Sequence, residues 1–196
     1  MAKLNVVPDM AIFFFSVSDR GKILDELKAG IDKKTSAVIT LCKSLGVETK
    51  DISSTEISIH PRYNYKTESF IGYEVSRNIK VILNKLDKYS ELVNGAIKSG
   101  ITTIRSINLD IKDRTELERK TLASALAAAK KKAEILAKSG GVGLGKIISV
   151  RETGGPIGIN KMRLERAVGD SMVQQGAFEP GETTITASVV ARYAIR

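Results

Sequence analysis

The end of the chain carries a long alternating segment that constrains the fold more than any other feature. The turn Pro180-Gly181 leads into it, and one face then collects Ile185, Ala187, Val189, Ala191, Tyr193 and Ile195. The other face is mostly polar, with Thr184, Thr186, Ser188 and Arg192, and with Val190 and Ala194 as exceptions. Since side chains of a strand alternate with a period of two, the segment predicts one half-buried strand about a dozen residues long.

Hydrophobic periodicity predicts the other elements. Strands are expected at residues 10–18, 57–65, 71–83, 107–111 and 147–150, and the short connection between the second and third makes them an antiparallel hairpin. Helices are expected from Asp19 to Gly46, from Asp87 to Gly100 and over residues 114–139. Asp19 and Asp87 are predicted to cap the first two, and Asp113 opens the third. The third helix has a narrow inner stripe of Leu117, Leu122, Ala125, Leu126, Ala129, Ala133 and Leu136.

The predicted fold class is α/β, more specifically α+β. It has a mixed, largely antiparallel sheet with three main helices packed on it. Residues 1–196 form one domain, and the pattern also fits two subdomains split near residues 84–100. Residues 153–181 are rich in glycine and predict a long flexible loop, with room for one short helix at 162–168. The joints at 44–52 and 139–148 both leave a helix through Gly-Val, which hints at a repeated helix-to-strand unit.

Charge and cysteine content limit the kinds of partner and site that the chain can have. The formal charge of +9 favours an anionic partner, while the scatter of lysines over helix faces favours a merely solvated basic surface. Cys42 is the only cysteine, which excludes an internal disulfide and a thiolate metal cluster, and its helical spacing from Val38 and Leu45 predicts a core position. No apolar run reaches the length of a membrane-spanning helix, and Met1-Ala-Lys-Leu-Asn does not open a signal peptide.

The sequence contains few candidate catalytic residues. His60 is the only histidine, and its place beside Pro61 predicts an edge position facing solvent. The string from Gly140 to Lys146 fits the phosphate-loop pattern G-x-x-x-x-G-K, but Ile147 replaces the required Ser or Thr and the order is helix, loop, strand. We therefore predict no catalytic, metal or cofactor residues and a protein that is not an enzyme, and keep as a third hypothesis a small hydrolase using Glu56, Glu68 and Glu74.

Two clusters are predicted to make contacts. The tip of the hairpin collects residue types typical of protein interfaces, namely Arg62, Tyr63, Tyr65 and Lys66. The third helix carries Lys130, Lys131 and Lys132, which can touch phosphates but have no interleaved aromatic side chains. Nucleic acid is accordingly disfavoured as a partner.

Several segments, in order, resemble the SIMPL domain family of bacteria. They are Pro8-Asp9-Met10-Ala11, Leu45-Gly46-Val47 with Lys50-Asp51-Ile52, Phe70-Ile71-Gly72-Tyr73-Glu74-Val75, Leu86-Asp87-Lys88, Lys132-Ala133-Glu134, Gly141-Val142-Gly143-Leu144-Gly145-Lys146 and Pro180-Gly181-Glu182. The resemblance covers nearly the whole chain. Compared with the family pattern, the sequence is expected to lack a leader peptide and most of the usual first strand, which leaves the location open.

The resemblance implies an exported envelope protein, periplasmic or associated with the outer membrane if a leader has been removed, and otherwise cytoplasmic. It implies self-assembly, and hence a homo-oligomer, with other protein partners unknown and no family catalytic residues to carry over. The expected function is a non-enzymatic, self-associating scaffold or stress-related interaction module. The alternative is a basic anion-binding module that contacts nucleic acid or an anionic lipid surface.

Overall fold

The computed structural model describes residues 1–153 and 178–196. These residues form three α-helices packed on antiparallel sheets, which confirms the predicted fold class. The helices are α1 (Leu24–Ser44), α2 (Tyr89–Lys98) and α3 (Arg114–Ser139). The strands are β1 (Ala2–Val6), β2 (Met10–Gly21), β3 (Ile52–Ser54), β4 (Ser58–Tyr63), β5 (Phe70–Leu83), β6 (Thr103–Asp110), β7 (Leu144–Glu152), β8 (Thr183–Ala187) and β9 (Val189–Ile195). Most of the predicted 153–181 loop, with its short helix, lies outside the described residues.

The described chain divides into two compact units. The first, here called the core unit, contains residues 9–110 and 178–179; the second, the terminal unit, contains residues 1–8, 111–153 and 180–196.

The core unit is built on the pairing of β2 with β5, which runs from Ala11 opposite Leu83 to Gly21 opposite Tyr73. Strand β6 pairs with the other edge of β2, while β3 and β4 both pair with β5. Helices α1 and α2 pack on one face of this sheet, where alternate residues of β2 and β5 are fully buried. Phe13 and Phe15 stack there with ring centroids 5.4 Å apart, and Cys42 of α1 is buried beside them as predicted.

The terminal unit has a smaller apolar interior than the core unit. Strand β1 pairs with β8, β7 pairs with β9, and α3 contacts all four strands. Its buried apolar side chains are small or few, namely Ile111, Ala125, Ala137, Ile185 and Ala187. Because hydrophobic stabilisation scales with the apolar area removed from water, this unit draws much less from its interior than the core unit does.

The closing segment departs from the predicted single strand. It forms β8 and β9, separated at Ser188, because the two halves pair with different partners. The predicted alternation is kept over most of the segment, since Ile185 and Ala187 are buried while Val190 and Arg192 are exposed, but Ile195, predicted on the inner face, is 70% exposed.

Two predicted aspartate caps, Asp19 and Asp87, were wrong, whereas Asp113 stands at the N-cap position of α3 and opens that helix as predicted. No side chain donates or accepts a capping hydrogen bond at the start of α1, α2 or α3. Asp19 remains within β2, since this strand continues to Gly21, and its carboxylate accepts a hydrogen bond from Lys34 of α1 (3.0 Å). That bond and the adjacent N–H of Arg20 lower the pKa of Asp19.

All three helices end in the same way. A residue with positive φ follows the cap at Gly46, Gly100 and Gly141. The next residue is apolar, and its N–H donates to the carbonyl five residues back: Val47 to Cys42, Ile101 to Ala96, and Val142 to Ala137. This is the Schellman motif, so the Gly-Val joints noted in the sequence are explained by helix termination.

Strands β1 and β3 were not predicted. Each is short, and neither has enough residues to show a clear alternation.

Among the described glycines, Gly72 leaves the least room for a side chain. Its φ is +137°, and a Cβ built there would lie 2.5 Å from the carbonyl oxygen of Gly21. We expect Gly72→Ala to lower the free energy of unfolding by about 2–4 kcal/mol in urea denaturation, because the new methyl group must displace backbone.

Gly30→Ala is the control. Gly30 lies within α1, and its nearest neighbour to an added Cβ is Asp19 Oδ2 at 3.8 Å. Alanine has the higher helix propensity, so this change should raise the unfolding free energy by about 0.5–1 kcal/mol. Equal effects of the two substitutions would contradict the steric account.

Candidate interaction surfaces

The hairpin formed by β4 and β5 extends beyond the rest of its sheet. Strand β2 ends at Gly21, opposite Tyr73, so residues 70–72 of β5 have β4 as their neighbour but not β2. The turn is closed by the N–H of Asn64, which donates to the carbonyl of Ser69 (2.8 Å), and by the N–H of Lys66, which donates to Asn64 Oδ1 (2.9 Å). The hairpin therefore presents an ordered tip to solvent.

Aromatic side chains cluster on this tip. The ring of Phe70 lies edge-on to Tyr63 and Tyr73, with centroid distances of 5.8 and 4.9 Å. Tyr63 is 53% exposed and Phe70 is 44% exposed, while Tyr65 in the turn is fully exposed. Such edge-to-face contacts fix the rings in place, which lowers the entropy that a partner must overcome.

The predicted set at the hairpin is brought together only in part. Tyr63 belongs to the aromatic cluster, and Tyr65 and Lys66 lie in the exposed turn. Arg62 lies instead beside Glu74, with its Nε 4.0 Å from Glu74 Oε2. The same carboxylate oxygen is 3.1 Å from Nε of Arg20. Phe70 and Tyr73 were missed as site residues, although the short hairpin connection could have placed them across from Tyr63 and Pro61.

His60 lies on the exposed surface of β4, as predicted. Its Nε2 is 2.9 Å from the hydroxyl of Ser58, and Glu74 is its cross-strand neighbour. Of the carboxylates proposed for acid–base chemistry, Glu74 is bound to Arg20, whereas Glu56 and Glu68 are exposed. Residues 1–153 and 178–196 bring together no group of three His, Cys, Asp or Glu able to hold a metal ion.

The glycine-rich string after α3 has a structural role. The N–H of Gly143 donates to the carbonyl of Arg196 (2.6 Å), and the N–H of Arg196 donates to the carbonyl of Gly143 (2.9 Å). A Cβ on Gly145 would lie 2.9 Å from the carbonyl oxygen of Ala194. The glycines thus permit close approach of the last strand, and the order of elements around them is helix, loop, strand, as the sequence predicted.

The three consecutive lysines of α3 do not form one patch. Successive residues of a helix point about 100° apart, so Lys130 and Lys132 are separated by about 200° and the three lysines cannot all share one face. Lys130 is 3.9 Å from Glu134, one turn further on.

The inner face of α3 was predicted wrongly at its end. Leu136 is 71% exposed, and Ile135 beside it is 57% exposed. The buried line passes through every fourth residue from Ala125 to Ala137, the two between being half-buried, and this leaves Leu136 about 100° away.

An apolar groove of 340 Å³ lies within the terminal unit, between α3 and strands β7 and β9. Its lining includes Leu122 and Leu126 of α3, Val150 of β7 and Val189 of β9, together with the charged residues Arg119 and Glu152. Strand β7 is exposed from Lys146 to Glu152, including Ile147, Ile148 and Val150.

Charge is distributed unequally between the two units. The described residues of the terminal unit contain thirteen Lys and Arg against six Asp and Glu, a net charge of +7. Those of the core unit contain fifteen against fourteen, a net charge of +1. The basic character of the chain therefore belongs mainly to the terminal unit.

The chain belongs to the SIMPL family. That family, described as "Protein of unknown function (DUF541)", matches residues 1–193, which confirms the resemblance read from the sequence.

Individual relatives agree with this assignment. The chain is 32% identical over 153 residues to "Uncharacterized protein YggE" of Edwardsiella ictaluri, covering 76% of this chain and 64% of the relative. The Escherichia coli K12 protein of the same name is 31% identical over 152 residues, covering 76% and 62%. The "26 kDa periplasmic immunogenic protein" of Brucella melitensis is 28% identical over 160 residues, covering 78% and 64%. The chain thus spans slightly less than two thirds of the length of these curated relatives.

A solved structure, that of AtUAH in complex with (S)-hydroxyglycine, is similar over 64% of this chain and 33% of its own, with a TM-score of 0.29 and 13% identity. A likeness of that size carries no functional argument.

No helix in the described part of the chain is both long and apolar enough to cross a membrane.

Cys42 should be chemically inert in the folded protein. Burial raises the pKa of its thiol from an ordinary value of 9.0 to about 11. Since the thiolate is the reactive form, an aromatic disulfide reagent at pH 8 should label the native protein far more slowly than the urea-unfolded chain. Comparable labelling rates would contradict the buried position.

The same shift gives a pH dependence of stability. A group whose pKa is raised on folding stabilises the fold below its unfolded pKa, and this contribution is lost as the pH rises through the folded value. Between pH 9 and about 11, the unfolding free energy of the wild type should therefore fall more steeply than that of Cys42→Ala, by up to about 1.4 kcal/mol per pH unit. Parallel pH profiles would contradict the assignment.

Proposed function

We propose that this protein is a non-enzymatic, self-associating component of the bacterial cell envelope, and that the β4–β5 hairpin provides the contact between copies. The observation that carries the proposal is the exposed aromatic cluster of Tyr63, Phe70 and Tyr73 on a hairpin that extends beyond its sheet. Aromatic side chains and arginine are enriched at protein interfaces, and a few such residues supply most of the binding energy.

The charge of the core unit supports a second copy of the chain as the partner. Like charges repel when two identical surfaces meet, so a neutral surface is better suited to self-association than a basic one. At the hairpin, Arg62 and Lys66 are balanced by Glu68 and Glu74, and the core unit as a whole has a net charge of only +1. The terminal unit, at +7, is poorly suited to pairing with itself.

The envelope location rests on the family. The Brucella relative is named as a periplasmic protein, and the family resemblance carries the same implication. The non-enzymatic role rests on the arrangement of titratable groups: His60 is exposed on an edge strand, and the carboxylate of Glu74 is engaged by arginine.

Paired substitution of the cluster tests the contact. We expect the wild type to sediment as an oligomer whose size depends on concentration. The double variant Tyr63→Ser, Phe70→Ser should raise the dissociation constant about tenfold or more, because the binding free energy lost with two interface anchors exceeds about 1.4 kcal/mol. Sedimentation velocity over a wide concentration range measures both. Because the hairpin is neutral, the oligomer should depend little on salt.

Ile97→Ser is the matched control, since Ile97 is an exposed apolar residue of α2 in the same unit. It should leave association unchanged, and circular dichroism should show native secondary structure in all variants. A wild type that stays monomeric at the highest concentration, or equal effects of the control and the double variant, would refute the proposal.

A further inference from the structure

The last two turns of α3 combine exposed apolar and basic side chains on one surface. Ile135 and Leu136 are adjacent, large, and more than half exposed. Single apolar residues are common on protein surfaces, so their exposure becomes informative only through what surrounds them.

Three lysines surround Ile135. Residues three and four positions apart are neighbours on a helix surface, which places Lys131 and Lys132 one turn before Ile135 and Lys138 one turn after it. Within the described part of the chain, none of these three lysines forms a salt bridge, whereas Lys120 and Lys130 on the same helix are paired with Glu116 and Glu134. The surface formed by Lys131, Lys132, Ile135, Leu136 and Lys138 is called here the α3 terminal surface.

Helix electrostatics account for only part of this arrangement. The carbonyl end of a helix carries partial negative charge, which favours Lys138 in the last turn. That effect gives no reason for Ile135 and Leu136 to face solvent. The exposed Val142, whose N–H donates to the carbonyl of Ala137, extends the apolar part of the same helix end.

Of the anionic partners, a lipid surface fits this chemistry best. Aliphatic side chains gain free energy by entering the boundary between headgroups and acyl chains, while lysines reach outward to the phosphates along flexible stems. Nucleic acid would use the lysines but leave the two aliphatic side chains without a role, since single strands are held by aromatic stacking and α3 has no aromatic residue.

We infer that the α3 terminal surface binds anionic lipid membranes at their interface, with Ile135 and Leu136 entering the headgroup region and Lys131, Lys132 and Lys138 contacting lipid phosphates. The net charge of +7 on the described residues of the terminal unit draws that unit toward such a surface. The inference is independent of the hairpin contact proposed above, which lies in the core unit.

Vesicle sedimentation with the full chain tests it. The probe is vesicles of equal parts phosphatidylglycerol and phosphatidylethanolamine, compared at low salt with vesicles of phosphatidylcholine. We expect binding to the anionic vesicles alone, weakened about tenfold or more by Lys131→Gln, Lys132→Gln, Lys138→Gln together, and separately by Ile135→Ser, Leu136→Ser together.

Matched controls separate this surface from general charge and general hydrophobicity. Lys28→Gln, Lys33→Gln, Lys43→Gln removes three exposed lysines of α1, and Ile97→Ser removes an exposed isoleucine of α2. Both should bind vesicles as the wild type does. So should the hairpin variant Tyr63→Ser, Phe70→Ser, which separates a failure of self-association from a failure of membrane binding.

Three results would overturn the inference. One is no binding of the wild type to anionic vesicles at low salt. Another is binding that survives the Ile135→Ser, Leu136→Ser change, because this would be adsorption by charge alone. The last is double-stranded or single-stranded DNA bound as tightly as the vesicles, with dependence on the lysines but not on the two aliphatic residues.

Discussion

The antiparallel pairing of β2 with β5 is the interaction on which the core unit depends. It joins eleven residue pairs, and alternate side chains from both strands face α1 and α2, so that hydrogen bonding and apolar burial reinforce each other. Every other strand of this sheet pairs with one of these two: β6 with β2, and β3 and β4 with β5. The hairpin tip is fixed in the same way, since β4 is ordered by β5 beyond the point where β2 ends.

The two units use their apolar residues differently. The core unit buries large side chains completely, including Phe13, Phe15 and Ile31, and keeps its charges nearly balanced. The terminal unit buries mostly small side chains and leaves Ile135, Leu136, Ile147 and Ile148 in water beside an excess of basic groups. Exposed apolar side chains beside basic groups are the feature on which the proposed membrane contact depends.

Much of the architecture could be predicted because its signals are local. Helix α3 begins and ends at the predicted residues, since alanine-rich propensity and a terminal Gly-Gly act within the segment itself. The break at Ser188 could not be predicted, because it reflects a change of pairing partner and the alternation continues across it. Asp19 shows the same limit: whether it caps a helix or extends a strand depends on where the pairing with β5 ends.

The candidate surfaces were predicted less completely for a related reason. Tyr63 and Tyr65 could be chosen by residue type, but Phe70 joins them only through cross-strand register. Lys130, Lys131 and Lys132 were predicted as one cluster because they are consecutive in the sequence, although helix geometry turns Lys130 away from Lys132. The more coherent basic surface uses Lys131, Lys132 and Lys138, and it becomes apparent only when Leu136 is found outside the buried line.

Hydrogen exchange measured by mass spectrometry on the dilute full chain tests this account most directly. The account predicts the slowest exchange for backbone amides of β2 and β5, much faster exchange for β7 and the last turns of α3, and slower exchange of those turns when anionic vesicles are added. Equal protection of the core and terminal units in the dilute chain would contradict the claim that one unit is stabilised by its own interior while the other exposes the residues that bind.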